Sequence, residues 1–157
     1  MESFLRFPRW LCLGLLVLSA GCRTPAPLPG VDLSTAGWKL QRGQALWTRS
    51  AGQPEIAGEL LLASNPRGDC VVQFSKIPFP IVAAQTAGDH WQIEFGARPY
   101  RVAGIGRPPA RWLWFQLPAA LAGGDAPQPW RFESLGDGRW RLANPRSGEL
   151  LEGAFFP

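Results

Sequence analysis

Trp91-Gln92-Ile93-Glu94-Phe95 is the stretch from which the fold is read. Large apolar side chains stand at every second position with Gln92 and Glu94 between them, the period of a strand that is apolar on one face and wet on the other. The same pattern returns on both sides. Downstream, Trp130 and Phe132 alternate with Arg131 and Glu133, and Trp140 and Leu142 with Arg139 and Arg141. Upstream, Cys70, Val72 and Phe74 alternate with Gln73 and Ser75, while Ile56, Gly58, Leu60 and Leu62 share a face opposite Ala57 and Glu59.

Turn-forming clusters separate these runs: Ser50-Ala51-Gly52, Asn65-Pro66-Arg67-Gly68-Asp69, Ala87-Gly88-Asp89, Gly104 to Pro109, and Gly136-Asp137-Gly138. The pattern predicts about nine strands, at 38–48, 55–63, 69–75, 81–86, 90–95, 98–103, 129–134, 138–143 and 148–155. The fold class is mainly β, an antiparallel up-and-down sheet that closes as a barrel or stays an open, strongly curved half-barrel.

Two segments break the rhythm. Pro109-Ala110-Arg111-Trp112-Leu113-Trp114-Phe115-Gln116-Leu117-Pro118 does not alternate. It reads as a short lid helix with Pro109 near its first turn and Pro118 at its end, lying across the inner face of the sheet. Lys76-Ile77-Pro78-Phe79-Pro80 reads as a stiff loop, because prolines on both sides of Phe79 stop it from joining a ladder. If that loop projects, Ile77 and Phe79 are exposed apolar residues suited to touching a membrane; if it folds back, they plug the core.

The chain has eight Trp, of which only Trp10 lies in its first 21 residues. Either these rings pack a solid core or they line a concavity that one short helix cannot fill. An unfilled wall bearing Trp91, Ile93, Phe95, Trp112, Trp114, Trp130 and Trp140 would be an acyl-chain pocket.

At the N-terminus, Arg6 and Arg9 precede an uncharged run from Trp10 to Ala20, which ends in Leu18-Ser19-Ala20-Gly21-Cys22. The run is too short to span a bilayer and has the layout of a secretory signal. Its end resembles the lipobox of bacterial lipoproteins. That resemblance implies a signal peptide at 1–21, an acylated (palmitate-bearing) Cys22 as the mature N-terminus and, because Arg23 rather than Asp follows, an outer-membrane address facing the periplasm. Cys12 leaves with the signal and Cys22 is acylated, so Cys70 has no partner and is expected as a buried strand residue. The tether at 22–30 contains Arg23-Thr24-Pro25-Ala26-Pro27-Leu28-Pro29-Gly30. Extended at ~3.1 Å per residue, it holds the domain at 31–157 about 25 Å from its anchor. A turn or helix start is expected at 32–36, where Asp32 and Ser34 can cap.

The formal net charge of +4 comes from scattered Arg, with Lys only at positions 39 and 76. This mild balance suits contact with anionic lipid headgroups. Arg and Trp fall on opposite faces of each strand, which argues against nucleic acid. One His and isolated cysteines make no metal site, no nucleophile elbow is present, and Gly104-Ile105-Gly106 lacks the rest of a dinucleotide fingerprint. Asp89 and His90 read as an exposed turn pair rather than a catalytic dyad. No cofactor and no enzymatic activity are expected.

Taken in order, several features resemble the LolA/LolB family of lipoprotein localisation factors. They are a lipobox, a tether, a first strand with Gly43-Gln44-Ala45, a Pro-then-large-apolar loop after the third strand, an aromatic helix ending in Leu117-Pro118, and late strands centred on Trp140. The chain departs from that family in its reduced segment before the first strand and its short C-terminal region. The resemblance implies an open half-barrel that carries lipoprotein acyl chains, Phe79 as the membrane-contacting residue, and exchange with a periplasmic carrier protein. A second function class is a structural or assembly lipoprotein that docks another envelope protein through its sheet, without lipid cargo.

Overall fold

Alternation sorts the side chains of each strand between two faces, and the strand order then decides what those faces surround. The computed structural model describes residues 26–96 and 100–157. The signal peptide at 1–21, the acylation site Cys22, the start of the tether and the predicted strand start at 98 lie outside the described residues. The strands are β1 (Lys39–Thr48), β2 (Ile56–Ser64), β3 (Cys70–Lys76), β4 (Phe79–Ala87), β5 (His90–Phe95), β6 (Tyr100–Ile105), β7 (Arg131–Gly136), β8 (Arg139–Asn144) and β9 (Glu149–Phe155). Among the described residues one helix, α1 (Leu113–Leu121), joins β6 to β7.

All pairings are antiparallel, and the order across the sheet is β6-β5-β4-β3-β2-β1-β9-β8-β7. Two meanders therefore meet where β1 pairs with β9, and β6 and β7 remain free edges. The sheet is open, and the closed-barrel alternative is ruled out. Nine strands ~4.8 Å apart would span about 38 Å if flat. Here one short helix shares a single core with residues of β1, β2, β3, β4, β5, β8 and β9, which requires the sheet to bend around it.

Glycines on the inner face permit the bend. A Cβ at Gly104 would meet the Trp91 ring at 2.5 Å, one at Gly153 the Trp140 ring at 2.7 Å, and one at Gly58 the Phe74 ring at 2.7 Å. In each case an aromatic side chain lies against the bare backbone of the adjacent strand, covering the glycine that its neighbour needs. The arrangement has a cost: Nε1 of Trp91 and of Trp140 is buried without a hydrogen-bond partner, as is Nε1 of Trp112. Each such donor forfeits about 1–3 kcal/mol of solvation.

The core centres on α1. Leu113, Trp114, Leu117 and Ala120 are fully buried against Leu60, Val72, Phe74, Val82, Ile93, Leu142 and Leu151. Trp47 closes the core on the β1 side, and its Nε1 donates to Glu149 Oε1 at 3.2 Å. Burial pushes the Glu149 carboxyl above its usual range, and the Trp47 hydrogen bond pulls it partly back. On the outer face Arg141 lies between two cross-strand carboxylates, hydrogen-bonded to Glu152 and 3.7 Å from Glu133.

Three expectations need correction. The helix starts at Leu113 rather than near Pro109, and it runs past Pro118, which lies inside it. Proline removes one helical hydrogen bond, but the turn beyond it buries Ala120 and packs Leu121 against the core, and that burial opposes the loss. Second, Phe79 does join a ladder: it opens β4 opposite Lys76, Pro80 stands opposite Ser75, and the stiff loop contracts to Ile77-Pro78. The ladder tolerates Pro80 beside a register shift at Phe74/Ser75, where pairing is already irregular. Third, the tether is partly a fold element. Leu28 N–H donates to Gln92 Oε1 at 2.7 Å, and Gln85 Nε2 donates to the Pro29 carbonyl at 3.2 Å. Gln85 and Gln92 are cross-strand partners on the outer face of β4 and β5, and they clasp the chain there. At 32–36 a turn forms rather than a helix, with Asp32 Oδ1 accepting from the Ser34 N–H and hydroxyl, which holds the Asp32 carboxyl below its usual range.

Candidate functional site

On β1 the inward positions run Lys39, Gln41, Gly43, Ala45, Trp47, and on β2 they run Ser64, Leu62, Leu60. Both strands therefore pass from polar to apolar in the same direction. At the polar end, α1 does not reach the sheet closely enough to fill the bend, and a cavity of about 850 Å³ remains. Its apolar wall is made by Leu62, Val72, Ala84, Trp114, Phe115, Leu121, Phe132, Trp140 and Phe155. Lys39, Gln41, Ser64, Thr86, Ser134 and Arg139 border it, and Pro118 to Gly123 close it from the helix side. The volume falls within the ~300–1,000 Å³ of ordinary small-molecule sites.

The mouth is held by a small polar knot. Asp69 accepts from Asn65 Nδ2 at 2.9 Å and from the Gly88 N–H at 2.8 Å, tying the β2–β3 turn to the β4–β5 turn. Those hydrogen bonds hold its carboxyl below the usual range.

Of the seven side chains expected to line a cavity, Trp114 and Trp140 do so. The other five are brought together elsewhere. Ile93 is fully buried core. Trp91 packs edge-on against Phe115 at 5.7 Å, and Phe95 meets Trp112 at 5.5 Å and Tyr100 at 6.1 Å. Trp130 donates through Nε1 to the Ala110 carbonyl. These five thus belong to packed parts of the concave face, and among the described residues the open space lies at the end beside Lys39 and Ser64. Lys39, Gln41, Leu62, Val72, Phe115, Phe132 and Phe155 were missed as lining residues. The signal for Lys39 and Gln41 was their odd-numbered register with Trp47, which Leu40 and Leu46 on the outer face obscured.

Ile77 and Phe79 are 72% and 71% exposed, so the tip of the β3–β4 hairpin projects. It lies at the opposite end of β4 from Thr86 at the cavity mouth, seven residues or about 23 Å away at ~3.3 Å per residue. On the outer face, a groove of about 660 Å³ passes Leu46, Ala57, Ile77 and Leu135.

Cys70 borders the cavity, and burial pushes its thiol up to about 12, which makes it a poor nucleophile. Asp89 and His90 pair at 2.6 Å on the exposed β4–β5 turn and do not line the cavity. Among the described residues, no group of three or more His, Cys, Asp or Glu is placed to hold a metal, and no helix is long and apolar enough to cross a membrane. The chain matches no known family model and no curated protein.

Proposed function

We propose that this protein is a lipid-anchored outer-membrane lipoprotein that shelters acyl chains of lipoproteins or lipids in the cavity beside α1, in the manner of the LolA/LolB family. The observation that carries the reading is the cavity itself: an apolar wall of adequate volume under a polar mouth, in a sheet whose remaining inner face is packed. Each methylene moved from water to that wall contributes ~0.8 kcal/mol, so a chain binds without specific polar contacts. A periplasmic carrier protein would supply such cargo.

Titration of the chain from Arg23 onward with a fluorescent fatty-acyl ligand tests this, since every described element and contact lies within that piece. Saturable binding with enhanced emission is expected; emission that rises linearly with ligand would end the proposal.

The exposed hairpin tip supports a bilayer contact through Ile77 and Phe79. From the clasp at Leu28, the six residues back to Cys22 reach about 19 Å when extended. Gln85 to Phe79 along β4 is about 20 Å. Were those residues to run alongside β4, an anchor on Cys22 would come about level with the tip and the cavity mouth would point away from the bilayer. In pelleting with anionic vesicles, Phe79→Glu should reduce the bound fraction of the unacylated chain several-fold. Equal pelleting of both proteins would remove the tip from the membrane.

The outer groove past Leu46, Ala57, Ile77 and Leu135 favours a second reading, an assembly lipoprotein docking another envelope protein through its sheet. That reading requires no acyl binding at all.

A further inference from the structure

The polar residues of the inner face collect at one end, strand by strand. Lys39 and Gln41 on β1, Ser64 on β2, Thr86 on β4 and Ser134 on β7 all border the cavity where it opens. Lys39 opens β1 opposite Ser64 and is exposed. Arg139, which opens β8, borders the same lining and also the outer groove. Neither cation has an ion-pair partner among the described residues, and no Asp or Glu is in the lining.

Three acidic residues adjoin lining residues in sequence, Asp69, Asp137 and Glu133, the last on the outer face 3.7 Å from Arg141. Asp69 is held by Asn65, the Gly88 N–H and Arg67. Asp137 stands exposed at the tip of the β7–β8 hairpin, beyond Gly138. Helix C-termini disfavour anions, but here the carbonyls of Pro118, Ala119 and Ala120 already accept from the N–H groups of Ala122, Gly124 and Gly123.

We propose that the cavity selects single-chain amphiphiles with an anionic head, the tail lying along Leu62, Trp114 and Trp140 and the head beside Lys39. The inference rests on the acyl-binding reading and adds the class of head group. A charge pair at the edge of an apolar wall is stronger than one in open water, so Lys39 discriminates among heads while the wall holds any tail. A carboxylate and a phosphate head meet this chemistry alike.

The test uses four ligands with one dodecyl tail: laurate, dodecyl phosphate, dodecyl maltoside and dodecyltrimethylammonium. Each is titrated below its micelle concentration into the chain from Arg23 onward, following tryptophan fluorescence. At least one of the two anionic ligands should bind about tenfold more tightly than the maltoside, with the cation weakest. Which anion leads tells a carboxylate from a phosphate head. Lys39→Gln should erase the advantage, bringing the anions down to the level of the maltoside with the same variant, Lys39→Arg should keep it, and added salt should shrink it. Equal binding of all four overturns the head-group inference but leaves the acyl cavity standing. So does an anion preference that survives Lys39→Gln combined with Arg139→Gln. Binding of none overturns both.

Discussion

Trp114→Ala is expected to cost about 3–5 kcal/mol of folding stability, the usual range for deleting a buried large aromatic. Trp114 is only 1% exposed and stands where the bend of the sheet meets the helix. Its ring packs edge-on against Trp47 at 5.0 Å and stacked on Phe74 at 5.5 Å, and Trp47 and Phe74 are themselves 6.0 Å apart. Removing one member of this triangle leaves two rings facing a void that the backbone cannot collapse into, because β1 and β3 are pinned by pairing on both sides. Against a domain total of about 5–15 kcal/mol, such a loss leaves little margin. Urea unfolding followed by circular dichroism should show a much lower midpoint with an unchanged slope. Trp114→Phe keeps a ring in the triangle and should lose less than half as much. If Trp114→Ala lowered the unfolding free energy by under about 1 kcal/mol, α1 would be a loose lid rather than the keystone of the core.

That result bears on how legible the molecule was. The alternation of Trp91, Ile93 and Phe95, and of Trp140 and Leu142, placed every strand within about two residues, because half-buried strands write their two faces directly into the sequence. Pairing between β1 and β9 was not legible, since strand neighbours distant in sequence leave no local trace. Pro118 misleads about the helix end for a related reason: local propensity argues for a stop, while burial of Ala120 and packing of Leu121 beyond it favour continuation. The same kind of local argument makes Phe79 a loop residue, whereas it opens β4 and is exposed at the hairpin tip. The clasp of Leu28 and Pro29 by Gln92 and Gln85 was invisible, because it depends on two side chains that meet only across a formed ladder. Trp47, Trp91 and Trp140 are buried on the inner face of their strands. What composition does not encode is where packing is complete, and so five of the seven expected lining residues turned out to belong to the filled part.

The cavity reading therefore needs a variant that fills the open end without touching the core, and Ser134→Trp is that variant. Ser134 is exposed, faces inward on the edge strand β7, borders the cavity and pairs with Trp140. An indole there gains a favourable cross-strand aromatic neighbour and has no neighbour on its free side to displace. Its stability should change by no more than about 0.5 kcal/mol, as for other exposed sites. Its effect on binding should be large. If the ring excludes about four methylenes of a bound chain, at ~0.8 kcal/mol each, roughly 3 kcal/mol is lost and affinity falls more than hundredfold. Glu133→Trp puts the same ring on the outer face of the same strand. It costs only the loose 3.7 Å contact with Arg141, so it should bind the acyl ligand like the parent. The pair isolates location from hydrophobicity, because both variants add the same apolar area one residue apart. Ser134→Trp binding at parental affinity, with Glu133→Trp doing the same, would mean that the hydrocarbon lies somewhere other than the space between α1 and the polar ends of β1 and β2. The outer groove past Leu46 would then be the surface to examine, and the sheet rather than its hollow would carry the function.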